Sequence, residues 1–127
     1  MPVASSYAEL LDEETSSFDF RKVLRTGGDT EHTFTCNIPS GFIDSHAALF
    51  TFQHTANEPI NTFKWHVLLN GNVIVEETYT LPVFCVRQEV FSGNLLHIGK
   101  NNVKFKLISG TGILRINNMA MHFKVNA

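Results

Sequence analysis

Apolar and polar positions alternate with a period of two through most of the chain, the pattern of half-buried strands rather than helices. In residues 32–38 the alternation places Phe34, Cys36 and Ile38 on one face, and Pro39-Ser40-Gly41 ends the run. A second run, 48–54, puts Phe50 and Phe52 together, and a polar loop is expected over 55–59. A third, 63–69, turns Phe63, Trp65, Val67 and Leu69 inward and leaves Lys64, His66 and Leu68 outward. Asn70-Gly71 follows at once. Both central residues of a type I′ turn need positive φ, so this pair predicts a tight hairpin returning through Val73-Ile74-Val75.

The last third reads the same way. Pro82 to Phe91 is extended, with Pro82 suited to a strand start or an edge. Gly99-Lys100-Asn101-Asn102 predicts a turn, after which Val103, Phe105 and Leu107 alternate with Lys104 and Lys106. Further turns are predicted at Gly110-Thr111-Gly112 and Asn117-Asn118, before a final strand with Met119, Met121, Phe123 and Val125 inward. About eight short strands separated by turns predict an all-β fold, an antiparallel sandwich or barrel.

Residues 1–17 break the pattern. Ser6 and Glu9 have capping-box spacing ahead of Leu10 and Leu11, which predicts a short helical turn. Asp12-Glu13-Glu14 falls where the helix dipole disfavours negative charge, so a mobile arm is the alternative. The division expected is an arm or short helix over 1–17 and one β-sandwich domain over 18–127.

Composition narrows the function classes. A chain of 127 residues suits one core, and a net charge of −2 argues against nucleic acid as a partner. The opening residues carry no basic segment followed by an apolar one, so no secretory signal is read. Apolar stretches such as Val83-Phe84-Cys85-Val86 fall far short of the roughly 20 residues a membrane span needs. A cytoplasmic or leaderless soluble protein is the expectation. Eleven Phe stand against one Trp and two Tyr. Phe suits the facing layers of a sandwich because it brings no polar atom to satisfy.

Three segments carry a family resemblance. Trp65-His66-Val67-Leu68-Leu69-Asn70-Gly71 resembles the W-x-V-x-L-N-G strand and turn of galactose-binding-like jelly rolls, among them many carbohydrate-binding modules. Leu96 to Phe105 is similar to their L-x-x-G-x-N-x-V-x-F turn and strand, and Gly110 to Met119 to their final hairpin. The match covers about half the chain. It implies a jelly roll of about eight strands that binds glycans on one face or in end loops. It also implies that a calcium ion is a candidate, for which Asp29 and Glu31 in the Gly27-Gly28 loop offer carboxylates.

Parity places Trp65, the tempting sugar platform, in the core. Lys64, His66, His122 and Lys124 point outward, as does Arg115 if Leu114 faces in; shared in one sheet, they would line a polar face. Tyr79 and Phe84 are candidate ligand-contacting aromatics, with edge packing or a subunit contact as the plain alternative. The six histidines show no metal-binding spacing, and adjacent Glu76 and Glu77 point to opposite faces of a strand, so they form no acid pair. Cys36 and Cys85 both fall in strands, as buried inert thiols or as a disulfide across the sandwich. The expectation is a non-catalytic, lectin-like module for a glycan or glycoconjugate, using Lys64, His66, Arg115, His122, Tyr79 and Phe84. A self-associating structural subunit is the alternative.

Overall fold

A computed structural model of the chain describes residues 2–12 and 21–126. It contains eight strands: β1 (Val3–Glu9), β2 (Leu11–Asp12), β3 (Arg21–Arg25), β4 (Glu31–Ile38), β5 (Ala48–Leu69), β6 (Asn72–Tyr79), β7 (Val83–Phe91) and β8 (Gly99–Asn126). One 3₁₀ turn, Gly93–Leu95, lies between β7 and β8. All strand pairs are antiparallel. No helix among the described residues is long and apolar enough to cross a membrane.

The strands form two packed layers, because β5 and β8 each run through both. In the first layer, β6 pairs with residues 63–69 of β5, those with residues 103–109 of β8, and β8 with β4, which carries β2. In the second, β7 pairs with residues 48–56 of β5, those with residues 113–122 of β8, and β8 with both β1 and β3. The inner faces meet through aromatic rings. Phe52 of the second layer lies edge-on to Trp65 at 6.2 Å and to Phe105 at 5.4 Å, both of the first. Phe50 stacks on Phe52 at 5.0 Å, and all four rings are fully buried. Such offset and edge-on contacts add to the burial term that holds the sandwich shut.

The hairpin at Asn70-Gly71 forms as predicted, with φ of 49° and 87°. The turns predicted later in the chain differ. Gly99 to Asn102 lie in β8, registered against Ile38 to Thr35. Gly110 and Gly112 mark where β8 passes between layers. A Cβ on Gly110, whose φ is +78°, would sit 2.3 Å from the Thr62 carbonyl oxygen, and one on Gly112 2.7 Å from the Phe63 ring. Glycine is required there because β8 crosses directly over β5. Asn118, at φ 53°, lies in a bulge where the β5–β8 register shifts between Thr51 and Gln53.

The helical turn or arm expected at the N-terminus is corrected. Residues 3–9 form strand β1, laid along the end of β8 from Val3 against Asn126 to Glu9 against Ala120. The inward positions are the small, half-buried Ala4, Ser6 and Ala8, too weakly apolar to show a period of two. Ladder bonds to β8 supply the backbone pairing that a helix would have supplied, so the capping-box spacing is not used. Residues 13–17 of the expected arm lie outside the described residues.

Candidate functional site

The outward residues of the two layers lie on opposite sides of the sandwich, and this divides the candidates. Lys64 and His66 belong to the first layer, where His66 Nε2 lies 3.9 Å from Glu76 Oε1 and the same outer face carries Lys106, Thr33 and the apolar Leu68. Arg115, His122 and Lys124 belong to the second layer, with Leu114 fully buried behind them. The single polar face that would have joined all five does not exist, since β5 and β8 change layers between residues 57–63 and 109–113.

The second layer's outer face is richer. Its rows run across β7, β5 and β8 and on to β1 or β3. One row is Phe84, Thr55, Arg115 and Val23, and another is Val90, Leu49, His122 and Tyr7. Phe84 is 72% exposed and Tyr7 64%. Tyr7 is the residue that sequence reasoning missed, because a helical reading of 1–17 gave it no face. Its ring lies 6.1 Å from that of His122, tilted by 35°. His122 Nε2 in turn lies 3.2 Å from the Thr51 hydroxyl. From Val90 to Phe84 the face extends about 20 Å along the strands, and from Tyr7 to Val90 about 14 Å across them.

Between the two rings the surface carries amides and hydroxyls, with Arg115 in the row of Phe84 and Lys124 beyond the row of Tyr7. Asn118 Nδ2 donates to Gln53 Oε1 at 2.7 Å, and Lys124 Nζ to the Ser5 hydroxyl at 2.6 Å. Phe84, Thr55, Arg115, Asn117, His54 and Ile116 line a depression of about 210 Å³. Arg115 has no ion-pair partner among the described residues. The arrangement supplies exposed ring faces for apolar C–H surfaces and adjacent donors and acceptors for hydroxyls.

Tyr79 is not an exposed platform. It is half-buried, its ring stacks on His54 at 5.9 Å, and its hydroxyl shares a 2.9 Å hydrogen bond with His54 Nε2. Burial raises the Tyr79 pKa above its ordinary value, with a smaller contribution from Cys85. His54 itself is 1% exposed, and burial, helped by the Arg87 guanidinium, pushes its pKa down to about 4. Arg87 on β7 bridges Glu77 on β6 and Glu89 on its own strand, closing that side of the sandwich with ion pairs. Trp65 is fully buried and serves the core.

The carboxylates considered for calcium are dispersed. Asp29 is exposed in the β3–β4 turn, where its backbone carbonyl accepts from the Arg25 N–H at 2.9 Å. Glu31 Oε1 lies 3.8 Å from Lys104 Nζ. Among the described residues no three His, Cys, Asp or Glu side chains converge as a metal cage needs. Cys36 and Cys85 are both free thiols, so the disulfide alternative is corrected: Cys36 is buried in β4, and Cys85 is half-buried on the edge strand β7.

No protein-family model and no curated protein matches the chain. Solved structures do. A β-porphyranase of glycoside hydrolase family 86 from the human gut bacterium Bacteroides plebeius matches 97% of this chain with a TM-score of 0.65 and 17% identity. Dimeric latent PorU from Porphyromonas gingivalis matches 98% with a TM-score of 0.65 and 8% identity. A CBM36 carbohydrate-binding module in complex with calcium and xylotriose matches 98% with a TM-score of 0.50 and 14% identity, over 92% of its own length. The chain spans 21% of the porphyranase and 13% of PorU, so it corresponds to one module of each. The fold is the antiparallel β-sandwich jelly roll shared with these structures.

Proposed function

We propose that the protein is a non-catalytic carbohydrate-binding module whose binding surface is the outer face of the second layer, from Tyr7 to Phe84. The observation that carries this reading is the pair of exposed rings on one face, separated by the amide and hydroxyl side chains of Thr51, Gln53, Thr55, Asn117 and Asn118. A sugar ring presents apolar C–H faces and a polar rim, and this surface offers a partner for each. The likeness to a module solved with xylotriose supports the reading.

Calorimetric titration with xylotriose and a neutral galacto-oligosaccharide tests it. The double change Tyr7→Ala with Phe84→Ala should weaken binding about ten-fold, while Lys64→Ala and His66→Ala on the opposite face should leave it unchanged. Binding that survives loss of both rings would place the ligand elsewhere, and no binding at millimolar sugar would end the proposal.

A further inference from the structure

We infer that the Arg115 depression is a subsite for an acidic sugar, one carrying a uronate carboxylate or a sulfate ester; the inference rests on the glycan-binding reading above. A half-buried guanidinium on a β-sandwich face is ordinarily matched by a carboxylate, because desolvating an unmatched cation is unfavourable. Arg87 shows the matched case in this same fold, bridging Glu77 and Glu89. Arg115 has neither an ion pair nor a side-chain hydrogen bond among the described residues, although it lines the floor of the depression. Among the described residues its neighbours supply no negative charge: Val23 and Thr55 flank it across the strands, and Phe84 and Asn117 line the depression with it. His54, with its proton affinity lowered, adds no competing positive charge at neutral pH.

The wider face agrees in sign. Its outward strand positions carry Lys124 and Arg25 along with Arg115, against Glu9, and Lys124 is held by the neutral Ser5 hydroxyl. The geometry also fixes how the sugar lies. Phe84 and Arg115 are both across from Thr55, on its two sides, which sets them about 10 Å apart. A pyranose ring seated on Phe84 therefore directs an equatorial or exocyclic substituent toward the guanidinium. The fork of N–H donors in Arg115 matches two oxygens of a carboxylate or sulfate, which a lysine does not.

The experiment compares three probes on the intact protein by calorimetry at low ionic strength: a neutral galacto-oligosaccharide, an oligogalacturonate and a sulfated galacto-oligosaccharide of equal length. One or both acidic probes should bind at least about ten-fold tighter than the neutral one, with the advantage shrinking as salt is added. The stronger of the two identifies the anionic group. Arg115→Gln should abolish the advantage of the acidic probes over the neutral one, and Arg115→Lys should restore part of it. Equal affinity for neutral and acidic probes, or a preference that survives Arg115→Gln, overturns the subsite while leaving the glycan-binding reading intact. Failure of all three probes overturns both.

Discussion

Asn70 and Asn101 hold one another across the sandwich edge: the Asn70 amide Nδ2 donates to Asn101 Oδ1 at 2.9 Å. Asn70 belongs to the hairpin after β5 and Asn101 to the beginning of β8, 31 residues on. Asn101 is fully buried, yet its amide is satisfied. Oδ1 also accepts from the His97 N–H at 3.0 Å, and Nδ2 donates to the carbonyls of His97 at 2.8 Å and Gly99 at 3.0 Å. Asn70 Oδ1 accepts from the Asn102 N–H at 2.9 Å. The two asparagines of the N-G and G-x-N motifs are thus the two halves of one clamp.

Asn101→Ala would remove the shared partner of the His97 and Gly99 backbone groups and of the Asn70 amide. We expect a loss of about 3 kcal/mol in urea unfolding. A loss below about 1 kcal/mol would show that the clamp is not structural.

The crossover glycines should separate from the turn glycines. Gly71 and Gly110 both have positive φ, but a Cβ on Gly71 meets nothing within 4 Å. Gly71→Ala should therefore cost only the backbone penalty, about 1–2 kcal/mol. Gly110→Ala adds a clash with Thr62 and should cost about 3 kcal/mol or more, read as the difference between the two thermal melts.

His54 makes stability depend on pH in a defined direction. Its folded pKa of about 4 lies below the ordinary 6.5, so between these values the unfolded chain binds more protons. The contribution is complete above pH 6.5 and falls away as pH drops toward 4. It amounts to about 2 kcal/mol after allowance for solvent screening. His54→Phe keeps the ring contacts with Phe52 and Trp65 and removes the titration. Urea midpoints at pH 7 and pH 5 should differ less in this variant than in the parent, and an identical difference would exclude His54 as the source.

The two thiols should differ sharply in reactivity. Burial pushes the Cys36 thiol up to about 12, and its side chain faces the core, so it should stay inert in the native state. Cys85 lies on the edge strand β7 and is partly exposed. One thiol per chain should react with Ellman's reagent before unfolding, and Cys85→Ser should remove that fast phase. Two fast thiols would mean that β4 opens readily.

The sandwich was legible because its inward positions are large: Phe34, Phe50, Phe52, Trp65 and Phe105 announce a period of two without any tertiary information. Strand β1 was hidden because it packs through Ala4, Ser6 and Ala8, and its small residues left Ser6 and Glu9 to suggest a helix. The binding face was half visible. Arg115 and His122 could be placed outward by parity, and Phe84 was a candidate only as an aromatic beside a proline; parity does not say which outward positions share a side. That depends on where β5 and β8 change layers, and the stretches 55–59 and 110–112 read locally as a loop and a turn. Tyr7 joined the face only once β1 was laid beside β8.

The passage of β5 and β8 through both layers has a consequence for how the molecule comes apart. Neither layer possesses a centre of its own, since each is built around half of the same two segments. Peeling one layer away drags the shared backbone out of the other, so a half-open sandwich would lose the ladders of both. The protein should yield as one unit: the slowest-exchanging amides of residues 48–56 and of residues 103–109 would report the same opening free energy. A sugar held on the outer face of the second layer would then protect the far layer as strongly as the near one.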